Sequence, residues 1–107
     1  YSAAKSALNN ITTSARLEIK RLNPNINISL VIPGPVDTEF AQNSLHSTGG
    51  MAGMINVQTV SEVADAIIQC IDQPKAEVYT NPSVQVPALM NYLQDIDAFE
   101  SRMLGNK

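Results

Sequence analysis

The first stretch of the chain has the spacing of an amphipathic helix. From Ser2 to about Leu22, apolar residues recur at steps of three and four positions, and polar residues fill the positions between them. This spacing puts the apolar side chains on one helical face. A proline at position 24 predicts the end of the helix, because the residue before a proline disfavours the α region. The apolar positions are Ala4, Leu8, Ile11, Ala15, Ile19 and Leu22.

A β-strand is predicted next, from Ile26 to Ile32. Every second residue of this stretch is Ile or Leu, which predicts one apolar face, and Val31 begins a second apolar face. The Pro33–Pro35 turn ends the strand, because proline cannot donate to a sheet ladder and the central Gly34 permits a sharp bend. We therefore predict a strand that is buried at its carboxyl end.

The stretch between Val36 and Gln58 has no sustained periodicity and contains three glycines. We predict a loop here, with a short helix near Thr38 to Asn43. Its Phe and Met side chains could line an apolar substrate pocket under a flexible lid at about residues 38–58, or could simply pack on the core. Both interpretations stay open at this point.

The remainder of the chain predicts helix, strand and helix. Thr59 and Glu62 have the spacing of a capping box, and the helix that they start should end before Pro74. A short strand is predicted at Glu77–Thr80, and a final amphipathic helix from Pro87 onward. Helices that alternate with strands predict an α/β fold with a parallel sheet, yet two strands cannot form a stable sheet.

Composition and charge narrow the class of protein. The chain has 107 residues, 44% hydrophobic and 16% charged, which predicts a soluble globular protein of one domain at most. The formal charge is −3 and the basic residues are scattered, so we expect no nucleic-acid partner. A lone cysteine, Cys70, is expected in the core and predicts no disulfide, which favours a cytoplasmic location. Without an apolar stretch of roughly 20 residues or a leader segment, no membrane association is expected.

Two groups of residues could carry chemistry together. Tyr1 and Lys5 are four positions apart, so a helix puts them on one face, although an exposed tyrosine beside a solvated lysine has the same spacing. The predicted helix is roughly 30 Å long and the strand that follows climbs roughly 23 Å. A crossover helix would therefore bring the pair to the sheet edge where the Pro33–Thr38 turn lies, and ligands of open α/β sheets bind at that edge. Gly34, the Val36 amide and the Thr38 hydroxyl could there hold a carboxamide or a phosphate.

Two segments together resemble the short-chain dehydrogenase/reductase family. The sequence YSAAKSAL at Tyr1–Leu8 resembles the active-site helix of the family, and IPGPVDTEF at Ile32–Phe40 resembles its cofactor-contacting turn. The later elements follow the order of the family. The resemblance implies the C-terminal portion of a Rossmann-like, doubly wound parallel sheet. Residues 1–107 would then be the C-terminal half of one domain, and a missing N-terminal half would complete it.

The resemblance also implies an activity and a role for each residue. The expected reaction interconverts an alcohol and a ketone or aldehyde, with NAD or NADP as the cofactor and Tyr1 as the general acid/base. Lys5 would favour the phenolate and bind the nicotinamide ribose, since a nearby ammonium stabilises an anion. The Val36 amide and the Thr38 hydroxyl would hold the carboxamide, and Pro33 and Gly34 would shape the nicotinamide pocket.

Other expectations concern what lies outside the printed sequence. The family's glycine-rich phosphate turn, its Asn-Ala-Gly segment and its catalytic serine all belong upstream of Tyr1. The chain alone is therefore expected to be inactive, and the choice between NAD and NADP cannot be read from it. A homo-dimer or homo-tetramer is expected as the assembly. The alternative function is a non-catalytic nucleotide-sensing or interaction module of the same fold.

Overall fold

The computed structural model describes residues 1–39 and 56–105, which form four helices and two strands. Most of the predicted loop at 38–58, and most of the short helix expected near Thr38 to Asn43, lie outside these residues. The described elements are α1 (Ser2–Leu22), β1 (Leu30–Ile32), α2 (Val60–Asp72), β2 (Glu77–Tyr79), α3 (Pro82–Gln94) and α4 (Ile96–Met103).

Helix α1 has the predicted bounds and is attached to the sheet through its second half. It ends at Asn23, whose backbone N–H donates to the Ile19 carbonyl at 2.8 Å. The Arg16 guanidinium donates to the carbonyl of Ala76, just before β2, at 2.8 Å. Residues 1–11 are all exposed, whereas the half-buried positions of the helix lie between 12 and 19. The first half of α1 is therefore little covered by the described part of the chain.

The two strands form the predicted parallel pair. Leu30 lies opposite Glu77, and Ile32 lies opposite Tyr79. The predicted strand at Ile26–Ile32 was too long at its start, because residues 26–29 lack a strand partner within the described residues and a strand needs a ladder. The carboxyl ends of β1 and β2 meet at one edge, which places the turn after Ile32 beside the residues that follow Tyr79.

Helix α2 begins with the predicted capping box. The Glu62 backbone N–H donates to the Thr59 hydroxyl at 3.2 Å, and the Glu62 carboxylate accepts from the Thr59 backbone N–H at 2.6 Å. The Thr59 hydroxyl also donates to this carboxylate, at 2.9 Å. The hydrogen bonds that the carboxylate accepts, first from the Thr59 backbone and then from its side chain, lower the pKa of Glu62. The capping box thus fixes the N-cap of α2 at Thr59, the residue that follows Gln58 in the sequence.

Loss of this cap should destabilise the protein in a pH-dependent way. We expect Thr59→Ala to lower the free energy of unfolding of the full-length protein at neutral pH by about 1 kcal/mol, since the helix loses an acceptor for an orphan N–H. Because folding lowers the pKa of Glu62, the part of the stabilisation that comes from its carboxylate is full above its unfolded pKa and is lost as the pH falls through its folded pKa. Urea denaturation at several pH values should therefore show the difference shrinking in acid. Thr59→Ser keeps the hydroxyl, and an equal loss in both variants would contradict the cap.

The C-terminal region differs from the single helix predicted from Pro87. Helix α3 already begins at Pro82, a position where proline is tolerated because the first N–H groups have no helical partner, and Pro87 lies inside the helix. Asp95 ends α3 and caps α4, since its carboxylate accepts from the Ala98 N–H at 2.9 Å. The Tyr92 and Phe99 rings pack edge to face across this break, with their centroids 5.6 Å apart.

Burial is slight throughout the described residues. Within 1–39 and 56–105, only Cys70 and Gln58 are buried, which confirms the core position predicted for Cys70. Large apolar side chains of α1 and α2 stay exposed, among them Ile11 at 66% and Ile71 at 73%. The described elements thus form the incomplete α/β fold that the sequence predicts. In these two ranges, no helix is long and apolar enough to cross a membrane.

Candidate functional site

Tyr1 and Lys5 lie together at the start of α1. Tyr1 is the N-cap residue, and its carbonyl accepts from the Lys5 backbone N–H at 3.0 Å, which closes the first helical turn. The Lys5 ammonium lies over the Tyr1 ring, 5.6 Å from the ring centroid. This distance is within the range of a cation–π contact. A phenol that is 83% exposed therefore has a positive charge beside it.

The Pro33–Thr38 turn is held by the main chain of Gln58. The Gln58 N–H donates to the Pro35 carbonyl at 2.8 Å, and the Gln58 carbonyl accepts from the Asp37 N–H at 2.9 Å. Val36 lies between these two contacts and forms a parallel bridge with Gln58. The Pro35–Val36 peptide is trans, so its N–H points opposite to its carbonyl. The Val36 amide is therefore directed away from Gln58.

Side chains add a second set of bonds, the Gln58–Thr80 network, which joins Gly34, Gln58 and Thr80. The Gly34 N–H donates to the Thr80 hydroxyl at 3.3 Å, and that hydroxyl donates to the Gln58 side-chain oxygen at 2.5 Å. The Gln58 side-chain NH₂ donates to the Thr80 carbonyl at 3.1 Å. The network ties the turn after β1 to the residue that follows β2.

Gln85, in the first turns of α3, supports the same edge. Its side-chain NH₂ donates to the Ile32 carbonyl at 3.0 Å, and its side-chain oxygen accepts from the Asn81 N–H at 2.8 Å. A Cβ added at Gly34 would lie 3.4 Å from the Gln58 side-chain oxygen and 3.7 Å from the Gln85 side chain, at van der Waals contact. Two glutamine side chains of the protein therefore pack against the backbone at Gly34.

A cleft of about 470 Å³ adjoins the Gln58–Thr80 network. Glu62 and Asp65, on the first turns of α2, line it together with Asn81. Two carboxylates disfavour an anionic ligand by charge repulsion. This cleft is therefore a poor site for phosphate groups.

The structure builds the predicted site in two parts. Tyr1 and Lys5 form one part, and Gly34 and Val36 are organised with Gln58 in the other. Pro33 and Thr38 lie in the same turn and are exposed. No hydrogen bond among residues 1–39 and 56–105 joins the Lys5 ammonium to this turn.

Three residues of this edge were missed by the sequence analysis: Gln58, Thr80 and Gln85. Thr80 could have been found, since it is the last residue of a strand that was expected to lie parallel to β1. Gln58 gave no signal, because it stands at the end of an aperiodic stretch. Gln85 was missed because α3 begins earlier than predicted.

Comparisons with known proteins agree on one family. Residues 1–49 match the family described as short chain dehydrogenase. A dehydrogenase/reductase SDR family protein 7-like of Drosophila melanogaster is 32% identical over 73% of this chain and 25% of its own length. A protein with the same description from Anopheles gambiae is 29% identical over 77% of the chain and 27% of its length.

A bacterial relative extends over more of the chain. An uncharacterized oxidoreductase, YxnA, of Bacillus subtilis (strain 168) is 24% identical over 87% of this chain and 27% of its own length. The chain thus spans about a quarter of the length of the curated relatives that it matches. No solved structure matches it significantly.

Proposed function

Since this chain belongs to the short-chain dehydrogenase/reductase family, we propose that it supplies the acid/base and nicotinamide-binding residues of an NAD(P)-dependent oxidoreductase. The reaction interconverts an alcohol and a ketone or aldehyde. The Lys5 ammonium beside the Tyr1 ring, inside the segment that matches the family, carries this proposal. A tyrosine and a lysine so placed suit proton transfer at a substrate oxygen.

The donor groups present fit a nicotinamide cofactor. The Val36 N–H is directed away from Gln58 and can donate to a carboxamide oxygen. The exposed Thr38 hydroxyl can donate to the same group or accept from it, and the Lys5 ammonium can donate to ribose hydroxyls. Pro33 and Gly34, in the same turn as Val36, would shape the pocket for the nicotinamide. When bound, NADH or NADPH would supply the hydride for reduction, and NAD or NADP in its oxidised form would accept the hydride in oxidation.

Tyr1 handles the proton that accompanies the hydride. In reduction, the Tyr1 phenol donates its proton to the carbonyl oxygen while the carbonyl carbon gains the hydride. In oxidation, the Tyr1 phenolate takes the proton of the substrate hydroxyl. The Lys5 ammonium lies beside the Tyr1 ring, so its positive charge can offset the negative charge that Tyr1 would carry after reduction and before oxidation.

The proposed enzyme needs more protein than the described residues provide. Residues 1–107 would be the C-terminal half of one Rossmann-like domain, with a substrate lid at about 38–58. An N-terminal half would supply the remaining strands and the phosphate-binding turn. The exposed apolar side chains of α1 support this proposal, since Ile11 and Leu17 are more than half exposed and need cover. A second copy of the protein, in a homo-dimer or homo-tetramer, could also bury these apolar side chains of α1.

Lys5→Met should impair both binding and turnover in the full-length protein. The variant loses a donor to the ribose and the positive charge that lies beside the Tyr1 ring. We expect the Kd of the cofactor to rise about tenfold and kcat to fall about a hundredfold, the effects of one charged hydrogen bond and of weakened acid/base catalysis. Fluorescence titration and steady-state kinetics measure the two separately.

A matched control for Lys5→Met is Lys20→Met, which removes the same charge from the last turn of α1, where Lys20 bonds only to Asn27 at 3.4 Å among the described residues. Both constants should stay near wild type in this control. A fall in kcat with unchanged cofactor affinity in Lys5→Met would show that the ribose role is wrong.

A further inference from the structure

We propose that Gln58 and Thr80 are positioning residues that fix the direction of the Val36 amide toward the nicotinamide carboxamide. This inference rests on the proposed function, because it needs the Val36 amide as a cofactor donor. Neither residue is expected to touch the cofactor. They would act through the peptide that carries the donor.

Gln58 controls the orientation of one peptide plane, that between Pro35 and Val36. The Val36 N–H belongs to the same peptide group as the Pro35 carbonyl, and that carbonyl accepts from the Gln58 N–H at 2.8 Å. Because a trans peptide is planar, this bond also sets the direction of the Val36 N–H. The bond from the Asp37 N–H to the Gln58 carbonyl holds the next peptide. The main chain of Gln58 is thus hydrogen-bonded to the residues on both sides of Val36.

Thr80 in turn holds the side chain of Gln58. Its side chain is 6% exposed, and both ends of its amide group bond to Thr80. Since the Thr80 hydroxyl gives its proton to the Gln58 side-chain oxygen, its lone pair faces the Gly34 N–H. A buried amide with unpaired groups is costly, so this arrangement favours one position for Gln58. The end of β2 thereby fixes the turn after β1.

Thr80→Val tests this link, because it keeps the shape of the side chain and deletes the hydroxyl. The measurement compares two ligands of the full-length protein by calorimetry. One is the oxidised dinucleotide, and the other is ADP-ribose, or its 2′-phosphate for an NADP enzyme, which lacks only the nicotinamide. We expect the Kd of the dinucleotide to rise about tenfold, or about 1.4 kcal/mol, as for one well-placed hydrogen bond. The Kd of ADP-ribose should stay within about twofold.

Two variants act as controls. Thr80→Ser keeps the hydroxyl and should restore the wild-type ratio of the two Kd values. Ser83→Ala removes a nearby exposed hydroxyl, which donates to the Asn81 side chain at 2.9 Å, and it should leave both Kd values unchanged. If Thr80→Val does not fold, Gln58→Glu serves instead. It keeps an acceptor for the Thr80 hydroxyl but loses the donor to the Thr80 carbonyl, and the same selective loss is expected.

Three outcomes would overturn one of the two proposals, the nicotinamide contact or the positioning role. If the wild type binds ADP-ribose as tightly as the dinucleotide, the proposed nicotinamide contact is overturned. If the wild type prefers the dinucleotide and Thr80→Val keeps the full preference, the positioning role is overturned. An equal weakening of both ligands also overturns it, since a general structural defect would have that effect.

Discussion

Tyr1→Phe in the full-length protein is expected to reduce kcat by about 10² to 10⁴-fold, the usual contribution of a positioned general acid or base. The substitution deletes the proton that is transferred to or from the substrate oxygen. It keeps the ring against which the Lys5 ammonium lies. The Kd of the cofactor should therefore stay within several-fold of wild type. Steady-state kinetics and a cofactor titration on the same preparation separate the two effects.

The control for this variant is Tyr79→Phe, which removes a phenol from the end of β2. Burial, and then the charge of Glu77, raise the pKa of the Tyr79 phenol, whose hydroxyl bonds to that carboxylate at 3.4 Å. Tyr79 thus has a carboxylate partner in place of an ammonium, which disfavours the phenolate. Turnover should be nearly unchanged in this control. Wild-type turnover in Tyr1→Phe would contradict the acid/base assignment.

The isolated chain of 107 residues is expected not to fold as a stable monomer. Only Cys70 and Gln58 are buried among residues 1–39 and 56–105, and apolar side chains such as Leu8, Ile11 and Ile68 are at least half exposed. Each square ångström of apolar surface left in water forfeits roughly 25 cal/mol, whereas a whole domain is stable by only about 5 to 15 kcal/mol. Two buried residues and a sheet of two strands, paired over three residues each, cannot offset this loss.

Sedimentation and thermal melting of the isolated chain measure this directly. We expect aggregates, or a monomer without a cooperative melting transition. Co-expression with the upstream residues of the full-length protein should give a soluble species with a cooperative transition. A monodisperse monomer of the chain alone that melts cooperatively would show that the proposed half-domain boundary is wrong.

Local signals in the sequence predicted the local features of the fold. The bounds of α1 follow from its apolar spacing and from the proline at position 24, and the start of α2 follows from Thr59 and Glu62. The strand at Ile26–Ile32 was predicted too long because its extent depends on a partner more than 40 residues away. The break at Asp95 was missed because the apolar spacing continues through it, whereas the capping bond to Ala98 depends on one side chain.

One part of the candidate site could be predicted from local spacing in the sequence, and the other part could not. Tyr1 and Lys5 are brought together by a single helical turn, so their spacing was sufficient. The Gln58–Thr80 network needs a parallel pairing of β1 with β2 and a second bridge at Val36, neither of which a periodic pattern reveals. The turn after β1 is thus held by hydrogen bonds over long separations in the sequence: Thr80 and Gln58 are 22 positions apart, and Gly34 and Thr80 are 46 positions apart. The residues of the turn itself gave no indication of these partners.

The central claim is that the site transfers a hydride and a proton and does not merely sense a nucleotide. Transfer of a deuterium label tests this claim most directly. The full-length protein is incubated with reduced cofactor deuterated at nicotinamide C4 and with a panel of ketones and aldehydes, and the products are analysed by mass spectrometry. We predict one deuterium on the former carbonyl carbon of a product with the wild type, and almost none with Tyr1→Phe. Tight cofactor binding without label in any product would contradict the proposed enzyme and favour the non-catalytic module.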